Sequence, residues 1–125
     1  MPYKINHLAD QAVIELSLTG VVTGDELRAS TSKCIAMQRD LGIKCFIVHA
    51  DSSEIFATLF DLHDLAENQY HREGLDRGTR IAVVLPSSTS AREAADFYET
   101  VCRNRGWNTQ IHPDPQSALE WLAES

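Results

Sequence analysis

Two groups of polar side chains, most of them serine hydroxyls, follow apolar runs of the sequence. The first group, which follows the apolar residues 43–50, is Asp51, Ser52 and Ser53. The second group, which follows the apolar residues 80–85, is Ser87, Ser88 and Ser90. Hydroxyls that precede a helix suit a small anion, and a serine beside a partner surface suits regulation by phosphorylation. We therefore predict that these six residues form an anion-binding or phospho-acceptor edge.

A metal site is the next possibility, because His63, Glu67 and His71 are spaced four residues apart and would lie on one face of a helix. Residues eight positions apart lie about 12 Å apart along a helix axis, so one zinc ion cannot bind both histidines. A solvated helix face explains the three side chains better. We expect no metal site and no cofactor.

A Ser-His-Asp triad can be drawn from Ser52 or Ser53 with His49 and Asp51. Adjacent residues of one strand point to opposite faces of a sheet, however, and the sequence contains no Gly-x-Ser-x-Gly nucleophile elbow. We therefore expect no catalytic residue and interpret the chain as a non-enzyme.

Strands and helices alternate along the chain and would position the hydroxyl groups. Residues 3–8 and 12–19 form a predicted hairpin, in which Gly20 ends the second strand. The runs 43–50 and 80–85 are apolar on both faces, as in a parallel sheet that is covered by helices. A short final strand covers 107–112.

The resulting order, β-β-α-β-α-β-α-β-α, predicts an α/β fold with a mixed, mostly parallel five-stranded sheet. The whole chain, residues 1–125, is predicted to be one domain. Parallel strands place their carboxyl ends at one edge of a sheet. The predicted loops 20–24, 51–53 and 86–90 therefore emerge on the same side.

Capping signals predict where three of the helices begin. Thr23 with Glu26 forms a capping box, and Ser90 with Glu93 forms another. Asp114, followed by proline, begins the closing helix.

The second helix is predicted from Ser53 or Glu54 to about Glu73, and it carries two apolar faces. Its inward face comprises Ile55, Leu59, Leu62, Leu65, Ala66 and Gln69. An offset stripe comprises Phe56, Phe60 and His63. Such a stripe predicts a homodimer interface, a partner groove or a lid over an apolar pocket. A helix buried deeply in one core would give the same pattern.

Composition narrows the classes of function. The net charge of −7 opposes general binding to nucleic acid or to an anionic membrane. No apolar stretch approaches the roughly 20 residues that a membrane-spanning helix needs. Cys34, Cys45 and Cys102 form no Cys-x-x-Cys pair, and the amino terminus lacks the layout of a signal peptide. We predict a cytoplasmic protein with no transmembrane segment and no nucleic-acid partner.

These motifs resemble the SpoIIAA-like branch of the STAS fold. The resemblance covers nearly the whole chain and is carried by the leading hairpin, the Asp51-Ser52-Ser53 run, residues 81–84 (IAVV) and residues 114–122 (DPQSALEWL). Members of this fold act as anti-sigma-factor antagonists, in which a serine within Asp-Ser-Ser-Gly is phosphorylated to control partner binding. Here Glu54 stands where that motif has glycine, and a carboxylate beside a phosphoserine would repel the added charge.

Two functional hypotheses follow. The resemblance implies a non-enzymatic regulatory or protein-interaction module, acting through a protein partner or as a homodimer. The alternative is a binding domain for a small apolar or anionic ligand, with a pocket under the second helix. The resemblance supports this alternative as well, since the wider fold is related to lipid-binding domains of the CRAL-TRIO type.

Overall fold

The sheet contains five strands in the order β1-β2-β3-β4-β5. The computed structural model describes residues 3–55 and 57–124, without the side chains of residues 51–53 and 55. The strands are β1 (Tyr3–Leu8), β2 (Val13–Val22), β3 (Cys45–Ile55), β4 (Arg80–Val84) and β5 (Asn108–His112). The pair β1–β2 is antiparallel, whereas β2, β3, β4 and β5 run parallel to their neighbours. The predicted mixed, mostly parallel sheet is therefore confirmed.

Helices cover both faces of this sheet. They are α1 (Gly24–Leu41), α2 (Leu59–Asp64), a π-helical turn (Leu65–Gln69), α3 (Tyr70–Arg72), α4 (Thr89–Asn104) and α5 (Pro115–Leu122). A 3-10 turn, Ala9–Gln11, joins β1 to β2. We call α2, the π-helical turn and α3 together, residues 59–72, the second helical region. Residues of α1, the second helical region and α4 share the larger core cluster with the sheet, whereas α5 packs on the opposite face.

Alternation along the strands divides the apolar residues between the two faces. In β2, Ile14 and Leu16 belong to the larger core, and Val13 faces Ala118 and Leu122 of α5 in the smaller one. Each fully buried side chain of this size contributes roughly 1.5–3 kcal/mol relative to an exposed one. The period of two therefore determines which helix each strand residue meets.

The first helix begins and ends where its sequence predicts. The Glu26 amide donates to Thr23 Oγ1 at 3.3 Å, and the Thr23 amide donates to Glu26 Oε1 at 2.9 Å. Gly42 follows the helix with φ 69°, a left-handed conformation that glycine adopts without a steric penalty. The predicted capping box and the predicted glycine stop are both confirmed.

Two strands are longer than their sequences predict. Instead of ending at Gly20, β2 continues to Val22. Instead of ending before Asp51, β3 continues to Ile55, and Ser52 and Ser53 lie opposite Thr19 and Gly20 of β2. The predicted ends are wrong because main-chain pairing with a neighbouring strand does not require apolar side chains.

The register between β2 and β3 changes within this extension. Ser17 pairs with His49 but Thr19 pairs with Ser52, so two residues of β3 lie opposite one residue of β2. Such a bulge bends the strand and increases its local twist. The pairing of β3 with β4 ends at His49 and Val84, so β3 extends beyond β4 at this edge.

Candidate functional site

The second helix begins at Leu59, not at Ser53 or Glu54 as predicted. Thr58 is its N-cap, and the Asp61 amide donates to Thr58 Oγ1 at 3.1 Å. The Thr58 amide in turn donates to Asp61 Oδ2 at 2.9 Å. Thr58-Leu59-Phe60-Asp61 forms the same reciprocal cap as the Ser/Thr-x-x-Glu motif, with aspartate in place of glutamate. The prediction of a start at Ser53 or Glu54 did not take this motif into account.

Asp61 also joins α2 to α1. Arg28 Nη1 donates to Asp61 Oδ1 at 2.9 Å, and the same guanidinium contacts Asp25. The hydrogen bond from Arg28, followed by that from the Thr58 amide, lowers the pKa of Asp61 below its usual value. The two helix starts are therefore held together by a carboxylate that stays ionised at neutral pH.

An apolar surface lies beside this ion pair. Phe60 is 75% exposed, Leu59 is 59% exposed, and Val21 at the end of β2 is 49% exposed. Gly24, three residues after Val21, lies so close to Asp61 that an added Cβ atom would overlap with its carboxylate, so the end of β2 lies next to the first turn of α2. We call Val21, Leu59 and Phe60 the apolar edge.

Leu59 therefore does not face inward, contrary to its prediction, because the helix starts later than expected. The predicted inward residues that the structure confirms as buried are Leu62, Leu65, Ala66 and Gln69. Of the predicted interface stripe, Phe60 lies on the apolar edge and Phe56 lies outside the described residues.

The predicted phospho-acceptor residues Asp51, Ser52 and Ser53 lie in the extension of β3, with their main chain in the strand. Neither serine caps the second helix. Phosphorylation and anion binding at these residues stay predictions.

The second hydroxyl group lies at the start of α4. Ser88, not Ser90, is its N-cap, and the Ala91 amide donates to Ser88 Oγ at 3.2 Å. The predicted Ser90–Glu93 box is therefore wrong by two residues, and Ser90 lies inside the helix. Ser87 lies in the loop between β4 and α4. Because β2, β3 and β4 are parallel, the end of β3 that contains Asp51, Ser52 and Ser53 and the loop after β4 that contains Ser87 lie at the same edge of the sheet.

His63 and Glu67 both contact Arg105 at the end of α4. Arg105 Nη2 donates to His63 Nε2 at 3.1 Å, and Arg105 Nε pairs with Glu67. The hydrogen bond from Arg105 lowers the pKa of Glu67. Among the described residues, no group of three or more His, Cys, Asp or Glu side chains could hold a metal ion.

An apolar cavity of about 100 Å³ lies beneath the second helix. Its wall includes Phe46 and Val48 of β3, Ala95 of α4, and Leu62 and Leu65 of the second helical region. The predicted pocket under the second helix thus has a structural counterpart.

The polar atoms around this cavity are few and carry no charge. Tyr70 and Tyr98 line it and hydrogen-bond to each other through their hydroxyls. Burial raises the pKa of both phenols well above the usual value. Burial also raises the pKa of the Cys34 thiol, another lining group, to about 12, so this thiol stays protonated and unreactive.

The π-helical turn over Leu65–Gln69 follows α2 directly. Its C-cap amide, Tyr70 N–H, bonds to the carbonyl of Leu65, five residues earlier. Trp107 Nε1 donates to the carbonyl of Ala66 at 2.9 Å. This buried bond fixes the turn to the start of β5, and π-helical turns of this kind are frequent at functional sites.

A polar group on the other face of the sheet was missed by the sequence analysis. His49 Nε2 lies 3.0 Å from Glu15 Oε2, and Asn6 Nδ2 donates to Glu15 Oε1 at 3.2 Å. The strand periods place Asn6, Glu15 and His49 on one face, but only the strand order makes β1, β2 and β3 neighbours. His49 is therefore paired with a carboxylate on β2 rather than buried in the core.

Comparison with known proteins identifies the fold. Neither a protein-family profile nor a curated protein sequence matches the chain. Solved structures do match: the chain has the SpoIIAA-like, STAS-type fold, as its sequence resemblance predicts. In the described part of the chain, no helix is long and apolar enough to cross a membrane.

Three solved structures illustrate the likeness. An uncharacterised DUF3478-family protein with a SpoIIAA-like fold from Shewanella loihica PV-4 is 15% identical, with a TM-score of 0.60 over 96% of this chain and 91% of its own. The anti-sigma factor antagonist SpoIIAA in its unphosphorylated form is 13% identical, with a TM-score of 0.58 over 98% and 99%. The phosphorylated form of the Bacillus cell fate determinant SpoIIAA is 12% identical, with a TM-score of 0.59 over 96% and 98%.

Proposed function

We propose that this protein is a non-enzymatic interaction module of the cytoplasm, which binds a protein partner at the apolar edge formed by Val21, Leu59 and Phe60. The observation that carries this proposal is the adjacent exposure of Leu59 and Phe60 at the start of a helix in which Leu62 is buried. Contiguous exposed apolar side chains on a soluble protein commonly mark an interaction surface.

Charge around the edge defines the partner. Residues 20–28, 54 and 57–62 carry four carboxylates and one guanidinium. Arg28, the one cation, already contacts Asp25 and Asp61. A segment that presents an apolar anchor flanked by lysine or arginine would complement this edge. A second copy of this chain would bring like charges together, so we favour a different protein over a homodimer.

The experiment compares Phe60→Ser with Leu41→Ser, its matched control. Leu41 is also exposed, at 45%, but lies at the far end of α1. Each tagged protein is cross-linked to its partners in the native host and purified. Wild type and Leu41→Ser should capture a protein that Phe60→Ser does not capture. The captured protein should carry a basic segment at the cross-linked site. Equal capture by all three would reject the proposal. A wild-type dimer that Phe60→Ser dissociates in sedimentation would identify a second copy as the occupant.

Phosphorylation of Ser52 or Ser53 is our proposal for control of this module. Each phosphate would add a charge of about −1.5 to −2 close to Glu54, next to the apolar edge. Added negative charge would strengthen attraction to a basic segment. Intact mass measurement of protein from the native host should show one phosphate that maps to Ser52 or Ser53. If the unmodified protein and a Ser52→Ala/Ser53→Ala variant bind the captured partner as the modified protein does, phosphorylation is not the control.

A second candidate function, ligand binding, is favoured by the cavity under the second helix. Because the described residues that line it include no Lys, Arg or His, the apolar form of this hypothesis fits and the anionic form does not. Protein purified from the native host should then carry an apolar metabolite that is released on denaturation and identified by mass spectrometry. Host protein that is purified in its folded state and releases no such molecule would reject an endogenous ligand at this site.

A further inference from the structure

The cavity beneath the second helix is suited to a dry, uncharged occupant. A buried water needs two to four polar partners, whereas the hydroxyls of Tyr70 and Tyr98 bond to each other. On the side of α4, the wall of the cavity is formed by the small side chains of Ala91, Ala94 and Ala95. The volume of the cavity therefore results from small residues on α4 that face larger residues on the sheet.

Size limits the occupant further. The volume of about 100 Å³ is too small for a long lipid chain. Apolar cavities of roughly 150 Å³ stay dry and bind benzene or xenon. We propose that this cavity binds a compact, uncharged apolar molecule, the size of one aromatic ring or a short branched alkyl group, and that the bound molecule holds α2 in place. This proposal rests on the second candidate function above.

The second helical region is the wall that can move, because its two ends are held differently. At the far end, Trp107 bonds to Ala66 in the buried π-helical turn. At the near end, the link to α1 is the partly exposed ion pair between Arg28 and Asp61. Ion pairs near the surface contribute only about 0–1 kcal/mol, so the proposal places the opening motion at the start of α2 and keeps the π-helical turn fixed.

This geometry links the ligand to the partner surface. Leu62 lines the cavity on the inner side of α2, whereas Phe60, two positions earlier, lies on the outer side of the same helix and is exposed. A molecule that contacts Leu62 favours the closed position of α2 over the open one. It thereby stabilises the position in which the apolar edge is presented.

Benzene is the probe that tests this proposal, with the full-length protein. Titration should shift the methyl resonances of Leu62 and Leu65 and raise the melting temperature. At a benzene concentration about ten times its Kd, hydrogen exchange of the α2 amides should slow roughly tenfold, because opening releases the ligand. Shifts confined to surface residues, or unchanged α2 exchange at saturation, would overturn the proposal.

The matched variants are Ala95→Leu, which fills the cavity, and Ala36→Leu, which adds the same side chain to the exposed face of α1. Ala95→Leu should abolish both benzene effects, and Ala36→Leu should retain them. If Ala95→Leu does not fold, Ala91→Val occupies part of the same space. Benzene effects that persist in a folded cavity-filled variant would place the binding elsewhere and reject this site.

The two proposals fail in different ways. If partner capture depends on Phe60 but benzene leaves α2 exchange unchanged, the ligand site is rejected and the interaction function stands. If benzene slows α2 exchange in wild type and not in Ala95→Leu, the ligand site is supported even when Phe60→Ser captures the same proteins as wild type.

Discussion

Arg28 and Asp61 lie 33 positions apart in the sequence, and their side chains meet at 2.9 Å. This hydrogen bond connects the first turns of α1 and α2 at the edge where β2 and β3 end. Asp61 also caps its own helix through Thr58, so one carboxylate both begins α2 and positions it. Phe60 of the apolar edge and the cavity lie on opposite sides of the helix that this carboxylate holds.

Asp61 should make stability depend on acid pH. Its pKa is lower in the folded state than the ordinary value of 3.8, so its contribution is fully present above that value and is lost as the pH falls through the folded pKa. Asp61→Asn should cost about 1 kcal/mol at pH 7. Denaturant unfolding at several pH values should show that the difference from wild type shrinks as the pH falls below 3.8. A difference that is constant down to pH 2 would show that the carboxylate charge does not contribute.

Gly24 should be intolerant of a side chain because of Asp61. A Cβ atom at Gly24 would overlap with the Asp61 carboxylate, which Arg28 and Thr58 hold in place. We expect Gly24→Ala to destabilise the protein by about 1–3 kcal/mol, as overpacking does. In an Asp61→Ala background the same change should be neutral or stabilising, since alanine favours a helix over glycine. Additive effects in this double-mutant cycle would contradict the contact.

The bond from Trp107 to Ala66 should contribute to stability beyond the packing of the ring. Trp107→Phe keeps an aromatic ring beside Tyr70 but removes the donor to a buried carbonyl. The expected loss is about 1–3 kcal/mol in the free energy of unfolding. Trp121→Phe, which alters an indole on the other face of the sheet, is the control and should cost less. Equal losses in the two variants would show that the bond to Ala66 contributes little.

The edge strand β5 is protected by side chains of α4. The Ile111 amide donates to Glu99 Oε2 at 2.8 Å, and Arg103 Nε donates to the Thr109 carbonyl at 3.1 Å. Unprotected strand edges pair with other chains, so Glu99→Ala should increase association. Sedimentation velocity at rising protein concentration measures this association. Glu93→Ala, which removes the same charge from an exposed position of α4, is the control. Identical profiles for the two variants would show that Glu99 does not protect the edge.

Local signals predict much of the fold. The period of two in β2, the capping box at Thr23 and the glycine at 42 are interactions between residues close in sequence, and each is confirmed. The SpoIIAA-like resemblance likewise follows from element order, which short-range patterns contain. The helix starts at Leu59 and Thr89 differ from prediction because several Ser, Thr and Asp residues near each start could act as the N-cap. Tertiary packing determines which of them does.

The sequence by itself thus determined the number and order of the strands and most helix boundaries. It also determined that serine residues lie at the edge of the sheet where the apolar runs end. Only the tertiary structure decided that β3 extends through Ser53, that Phe60 is exposed, and that a cavity lies under Leu62. These features depend on contacts between distant residues, such as Arg28 with Asp61. Local propensity does not contain such contacts, since they arise only when neighbouring strands and helices have packed.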